Sequence, residues 1–393
     1  MILPSNRDEN WKYAALRPLA SAPLHAPEAV QNISDALLAA LPERITNHTR
    51  LVLHDGLWSS ALSDALPAGV TIARRAAAPS KVDANATAEH DADRRLAVLN
   101  ARESRETLCI DVAPGARAQL EIVVLCNTPA TAGMSHPSIR IELGAAAQIS
   151  LLERQLGSDE ACAGNLALSL HLARDANARI TRVQAFGART QWFETLEYRL
   201  DQNAHCRVVH VMQGAAAART TAFVAHAGRG ARLDWSTVAL GEGQQVQDCY
   251  VRVHHGADEA STLQRYRGIV ADRARLGFNG HMQVAERTAG CASDQSLRCL
   301  IAGEQAEADV RPQLEIYTDA VRASHGATVG KLDADMQFYL ASRGIEPAVA
   351  DALLKWAFIA DVLTQIEPPE LRIDVERRLA ARLPGALAAG ALA

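Results

Sequence analysis

The sequence predicts a mainly β chain with helical ends, and three observations carry that prediction. From about residue 105 the apolar residues recur with period two, as in Leu120, Ile122, Val124 and in Leu166, Leu168, Leu170, Leu172. A turn leading into Ala-x-apolar returns at Ala147-Gln148-Ile149, Ala178-Arg179-Ile180, Ala204-His205-Cys206 and Ala231-Arg232-Leu233, 26 to 31 residues apart. After Gly330 the pattern changes to the period of helices. A recurrence of this length suits a stacked solenoid whose coils bury their apolar faces on one another, and the same strands also suit a sandwich or closed barrel.

Taken in order, residues 1–95 form an expected N-terminal helical region, rich in Ala, Leu, Asp and Pro. Its helical stretches include 28–41, and Leu51-Val52-Leu53 is a short strand candidate. The β core is expected over 96–325, with further alternation at Ile139, Ile141, Leu143, at Leu196, Tyr198, Leu200, and at Leu276, Phe278, Gly280, Met282, Val284. Leu314 and Ile316 alternate with Gln313, Glu315 and Tyr317 as a last rung. Ser324-His325-Gly326 then reads as a turn, where strand gives way to helix. The C-terminal helical region, 326–393, opens with Asp333 as N-cap of a helix through Met336, Phe338, Tyr339 and Leu340 that Gly344 stops. Glu346-Pro347 starts a second helix whose apolar face carries Val349, Leu353, Trp356, Ala360 and Leu363 before Pro368-Pro369. A third covers about 370–383, and the last ten residues read as a frayed tail.

Composition bounds the function. A chain of 393 residues exceeds one ordinary compact domain, and 48% hydrophobic with 22% charged residues supports a large core. A net charge of −5 gives no electrostatic case for nucleic acid or an anionic membrane surface. The N-terminus is charged where a signal peptide is apolar, and no apolar run reaches membrane-spanning length, so the expected location is cytoplasmic. Seven scattered cysteines without a C-x-x-C pair fit reduced thiols rather than a disulfide framework, a zinc site or a self-contained cluster site. Sequons at Asn32, Asn47 and Asn85 carry little weight in such a chain.

The segment from Gly326 to Leu332 superficially resembles a phosphate loop, but it has three residues between its glycines and Leu332 where Mg²⁺ needs a hydroxyl, so no ATP site is expected. No nucleophile elbow, H-E-x-x-H pair or dinucleotide fingerprint is present. His325 is the leading candidate: a neutral imidazole is a borderline metal ligand, and its small neighbours leave it room to meet a partner. The competing reading is a turn histidine bonded to backbone. Adjacent His254 and His255 point to opposite faces of a strand, which argues against a shared metal, whereas Cys206 and His210 share a face with His205 on the other. Buried thiols are the simpler reading of Cys206, Cys291 and Cys299, and Arg265 and Arg267 read as solvated rung residues.

The run Pro312-Gln-Leu-Glu-Ile316, followed by ASHGATVGKLD and then QFYLASRGI, resembles the C-terminal signature of the SufB/SufD family, the related scaffold proteins of SUF iron–sulfur assembly. Glu9-Asn10-Trp11-Lys12-Tyr13 is similar to that family's E-x-W-(K/R)-Y element, and Tyr266 to Val284 resembles its late rungs. Ser-His-Gly is the form of the SufD branch; SufB relatives have His-Glu-Ala there. The resemblance implies a right-handed parallel β-helix between helical ends and a scaffold subunit that is not itself an enzyme. It implies a heterodimer with a SufB-like scaffold, an ATPase partner like SufC, and a transient iron–sulfur cluster shared at the interface through His325. It further implies a role in iron entry and in use of reduced flavin, although no flavin motif is visible. Docking of the ATPase on the C-terminal helices would draw on Phe338, Tyr339, Trp356, Phe358 and Leu363. The exposed pairing edge also admits a homodimer of the isolated chain. Ala323 departs from relatives that carry cysteine at that position, so sulfur ligands fall to the partner. The alternatives are a SufB-like sulfur-accepting subunit, disfavoured by Ser-His-Gly and Ala323, and a β-helix carbohydrate-active protein, disfavoured by scattered acids.

Overall fold

In the computed structural model, which describes residues 3–21, 23–28, 32–76, 91–157 and 160–383, the period-two segments are strands. The Asn85 sequon, residues 29–31 of the expected 28–41 helix and the tail at 384–393 lie outside the described residues. The N-terminal part holds a 3-10 turn (Glu9–Trp11), helices α1 (Arg17–Ser21) and α2 (Asp35–Ala39), and strands β1 (Thr49–His54), β2 (Leu57–Trp58) and β3 (Val70–Arg75). A second 3-10 turn (Ala92–Arg94) then leads into helix α3 (Arg95–Glu103). Next come β4 (Thr107–Val112), β5 (Arg117–Cys126), β6 (Ser138–Leu143), β7 (Gln148–Gly157), β8 (Ala163–Leu172), β9 (Asn177–Ala185), β10 (Gln191–Leu200) and β11 (His205–Gln213). They continue through β12 (Ala217–His226), β13 (Arg232–Gly241), β14 (Val246–His255), β15 (Ser261–Val270), β16 (Arg275–Val284), β17 (Cys291–Ile301), β18 (Glu307–Ile316) and β19 (Val321–Gly330). Helices α4 (Ala334–Ser342), α5 (Pro347–Leu363) and α6 (Pro369–Arg382) end the described chain.

From β4 onward successive strands alternate between two sheets, ordered β19-β17-β15-β13-β11-β9-β7-β5-β1-β2 and β18-β16-β14-β12-β10-β8-β6-β4-β3. Each turn therefore adds one parallel strand to each sheet, and the result is a parallel β-solenoid of about eight turns. The register Leu168, Leu196, Ala222, Val251, Gly280 advances 26 to 29 residues per turn, which is the recurrence seen in the sequence. Inward rows from both sheets fill one core with Leu120, Ile122, Leu151, Ile180, Trp235, Tyr266 and Phe278. At about 1.5 to 3 kcal/mol for each large apolar side chain buried, this shared core is the main favourable term.

The corners explain the alanines. Ala146, Asp175, Asn203, Gly230, Glu259 and Gly290 all have positive φ, and the residues that follow the first five, Ala147, Ala176, Ala204, Ala231 and Ala260, are fully buried. The left-handed residue turns the chain and its N–H reaches the next coil: Asp175 donates to Gln202 O and Asn203 to Arg229 O, each at 2.9 Å. Only a small side chain fits inside the bend. Ala178 lies two residues beyond the corner alanine Ala176, within β9, so the column runs through Ala176 instead.

Each outer face is covered over part of its length. The N-terminal part is less helical than its composition suggests: β1 pairs with β5, β3 with β4, and Leu51-Val52-Leu53 is the middle of β1. Against the nine-stranded sheet, Trp11, Leu19, Leu96 and Leu99 pack on Phe193. Trp11 Nε1 and Asn10 Nδ2 each donate to Asp93 at 2.8 Å, and the Arg219 guanidinium lies 4.4 Å from the Trp11 ring centre. The Glu9-Asn10-Trp11-Lys12-Tyr13 element is thus a strap. Against the ten-stranded sheet, Ile359, Val362 and Leu363 of α5 and Leu371, Val375 and Leu379 of α6 cover Val209, Val211, Val238 and Ile269.

One charged cluster lies wholly inside the solenoid. Arg182 Nη2 donates to Glu153 Oε1 at 2.9 Å and to Glu194 Oε2 at 2.7 Å, while Gln155 Nε2 donates to the same two oxygens. Burial pushes the Glu153 carboxyl up against the pull of Arg182; for Glu194 the pull of Arg182 and its hydrogen bonds outweigh burial and hold the carboxyl below its usual range. Removing the cation leaves two buried carboxylates without a counter-charge. Arg182→Met is expected to cost about 3 to 5 kcal/mol in urea unfolding near neutral pH. Both carboxyls would then have folded pKa values above their unfolded ones, so the deficit should shrink near pH 5 and grow toward pH 8; a deficit independent of pH would contradict this.

Candidate functional site

The last coil is the exposed end of the stack. β18 and β19 are the terminal strands of their sheets, and β19 is exposed along almost its whole length. Its far backbone edge has no partner strand among the described residues. His325 lies in the middle of β19, opposite Gln295 of β17, so the turn read from Ser324-His325-Gly326 is a strand. The reason is non-local: these three residues have little strand preference, and the ladder from β17 holds them extended. Gly326 to Gly330 is the extended end of the same strand, and the C-terminal helices begin at Ala334 rather than at residue 326.

Register gives His325 its surroundings. It continues the inward column of Trp235, Gln264 and Gln295, and Gln295 Nε2 crosses the interior to donate to Gly280 O at 3.0 Å and to Gln264 Oε1 at 2.9 Å. A Cβ at position 280 would collide with the Gln264 side-chain oxygen, which explains glycine in that late rung. Ala323, Ala327 and Val329 share the inward row of β19, facing Val310, Pro312 and Leu314 of β18 across the mouth. His325 is thus an exposed imidazole, without a hydrogen bond among the described residues, on the rim of an apolar mouth. Beside it Ser324 Oγ donates to Asp294 Oδ2 at 2.6 Å.

The remaining candidates fall elsewhere. His254 is exposed and near Gln283, while His255 is buried, 4.7 Å from the His226 ring centre, with Nε2 2.8 Å from Thr262 Oγ1. Burial lowers the His255 pKa to about 4 and that of His210 to about 3, so both are neutral at pH 7. His205 pairs outward with Asp234, and Cys206 and His210 point inward as alternation requires. All seven cysteines are buried, and burial pushes the Cys299 thiol up to about 12. Among the described residues no three His, Cys, Asp or Glu side chains are arranged to hold a metal ion.

The expected partner face divides. Asp333 caps α4 through Asp335 N and Met336 N, and Phe338 and Tyr339 then stand 75% and 51% exposed. Trp356 and Phe358 are half-buried beside the α5–α6 packing. Leu363 is 1% exposed within that packing, so the core uses it and no partner can reach it. Sequence reading missed the Glu153–Arg182–Glu194 cluster, although polar residues at inward parity in β7, β9 and β10 were its signal.

Comparison with known proteins adds an independent line. Residues 125–358 match the family model described as the SufBD core domain of SUF system FeS cluster assembly. The chain is 27% identical over 393 aligned residues to the iron–sulfur cluster assembly protein SufD of Escherichia coli (strain K12), covering 98% of this chain and 90% of that one. It is 24% identical to a SufBD family protein of Synechocystis sp., covering 93% and 84%, and 31% identical to SufD of Bacillus subtilis over 35% and 32%.

The exposure of His325 has a direct consequence. His325→Ala should change stability by no more than about 0.5 kcal/mol. Diethyl pyrocarbonate should modify His325 and spare His210 and His226, as read by peptide mass spectrometry. A large loss of stability, or protection of His325, would contradict the geometry.

Proposed function

The chain belongs to the SufBD family of SUF-system iron–sulfur cluster assembly proteins, and from that membership we propose that it is a SufD-like scaffold subunit. It takes part in iron–sulfur cluster assembly without catalysing a reaction of its own. The observation that carries this reading is the exposed terminal strand β19 with His325 at its centre. An unpaired strand edge is a template for another strand, so β19 and β18 pair with the last coil of a SufB-like partner. The inward row then closes against the partner's, and His325 faces the closed interface. There its imidazole takes iron of the nascent cluster, which is cargo rather than a resident group. Because the described cysteines are buried and Ala323 precedes the Ser324-His325-Gly326 element, the partner supplies the sulfur ligands. This asymmetry favours the SufD-like role over the SufB-like one.

ATP enters through a SufC-like ATPase docked on the C-terminal helices, with Phe338 and Tyr339 as aromatic anchors. Its closure shifts the two scaffolds and opens the interface to iron and sulfide. Iron entry and use of reduced flavin belong to the assembled complex. The location is cytoplasmic; no helix among the described residues is long and apolar enough to cross a membrane.

Co-expression with a SufB-like and a SufC-like protein, followed by anaerobic cluster reconstitution, tests the reading. A stable complex is expected, with a cluster yield that falls several-fold in His325→Ala. An unchanged yield in a stable complex would reduce His325 to an interface residue, and failure to form any complex would overturn the scaffold role. Phe338→Ala with Tyr339→Ala should weaken retention of the ATPase by about tenfold or more while leaving the melting temperature in place.

A further inference from the structure

The outer face of the last coils carries an unbalanced group of arginines. Arg267 of β15 lies opposite Arg298 of β17 in register, and Arg265 shares their face two residues earlier. Like charges directly opposed across strands are destabilising, and a nearby anion relieves such a pair. Arg267 has one: its Nη2 donates to Asp361 Oδ2 of α5 at 3.0 Å, and its Nη1 donates to the carbonyls of Tyr266 and Ser296 at 3.0 and 3.1 Å. Burial lowers its pKa, and the charges of Arg298 and Arg265 act in the same direction.

Arg265 and Arg298 have no hydrogen bond or ion pair among the described residues. Asp294, the one carboxylate of β17, accepts the hydrogen of Ser324. Arg179 and Arg207 also oppose each other in register, and there each has its own carboxylate, Glu367 at 3.1 Å and Asp234 at 3.7 Å. The contrast singles out the pair next to the open edge. Beyond Ser296 in the Arg265 column, and directly after Arg298 in the other, come Gly326 and Thr328 of β19, and space around Gly326 is open. Two long cationic side chains therefore overlook a strip of small residues that ends at an unpaired strand edge.

We infer that the strand laid along β19 is acidic on its outward face, with carboxylates that reach across Gly326 and Thr328 to Arg298 and Arg265. The inference rests on the pairing of β19 with a partner strand and adds the chemistry by which that strand is chosen. Backbone hydrogen bonds to the edge accept any extended chain, whereas the guanidinium pair discriminates by charge.

Fluorescence anisotropy with two labelled ten-residue probes, alternating Thr-Glu and alternating Thr-Gln, tests it on the full chain. The acidic probe should bind about tenfold or more tighter than the neutral one, and the advantage should disappear in Arg265→Gln with Arg298→Gln. A control with Arg232→Gln and Arg273→Gln, exposed arginines away from the edge, should keep it. Equal binding of both probes, or equal loss in the control, would overturn the charge preference while leaving strand addition intact. Binding of neither probe would remove the pairing itself. Arg298→Gln should also leave the melting temperature unchanged or raise it, since it relieves repulsion; a marked fall would make Arg298 a structural residue and refute the inference.

Discussion

Everything in this molecule follows from the requirement that each coil bury its inward row against its neighbours. A single rung has two strands and no core of its own; only stacking closes the row from above and below. The interior satisfies this through a common register, with Leu168, Leu196, Ala222 and Val251 in one column and a buried alanine after five of the left-handed corner residues. The last rung cannot satisfy it alone. Ala323, His325, Ala327 and Val329 continue inward columns that no further strand covers among the described residues, so the geometry that stabilises the middle creates the reactive end.

The polar residues inside the stack show what this arrangement tolerates. A buried ion pair offers little net stability, yet breaking it costs several kcal/mol, so Arg182 must stay with Glu153 and Glu194 once all three are enclosed. Farther along, Gln264 and Gln295 occupy the column that ends in His325, and Gly280 gives up its side chain to admit them. The inward column therefore grows polar as it approaches the mouth, which suits a surface that meets a partner rather than a finished apolar cap.

Much of this was legible beforehand. Period-two alternation located the strands, the spaced Ala-x-apolar turns located the corners at Ala147, Ala204 and Ala231, and Asp333, Gly344, Pro347 and Pro369 framed the helices, because caps and turns are local chemistry. Several readings changed, three of them through tertiary context. The first 95 residues include β1 to β3, which exist by pairing with β4 and β5. Ser324-His325-Gly326 became strand through its ladder to β17. Leu363 moved from a partner face to the core because helix periodicity identifies an apolar stripe without saying what covers it.

By itself, the sequence determined the fold class, the solenoid repeat, the helical C-terminus and the family, since each is written in short-range pattern or in motifs that survive as strings of residues. Tertiary structure alone decided that His325 stands on a rim, that Trp11 belongs to a strap across the sheet, and that Arg267 and Arg298 confront each other. Those facts depend on register between residues about thirty or more positions apart. No local propensity encodes that register; it is set where the inward rows of successive coils fit together.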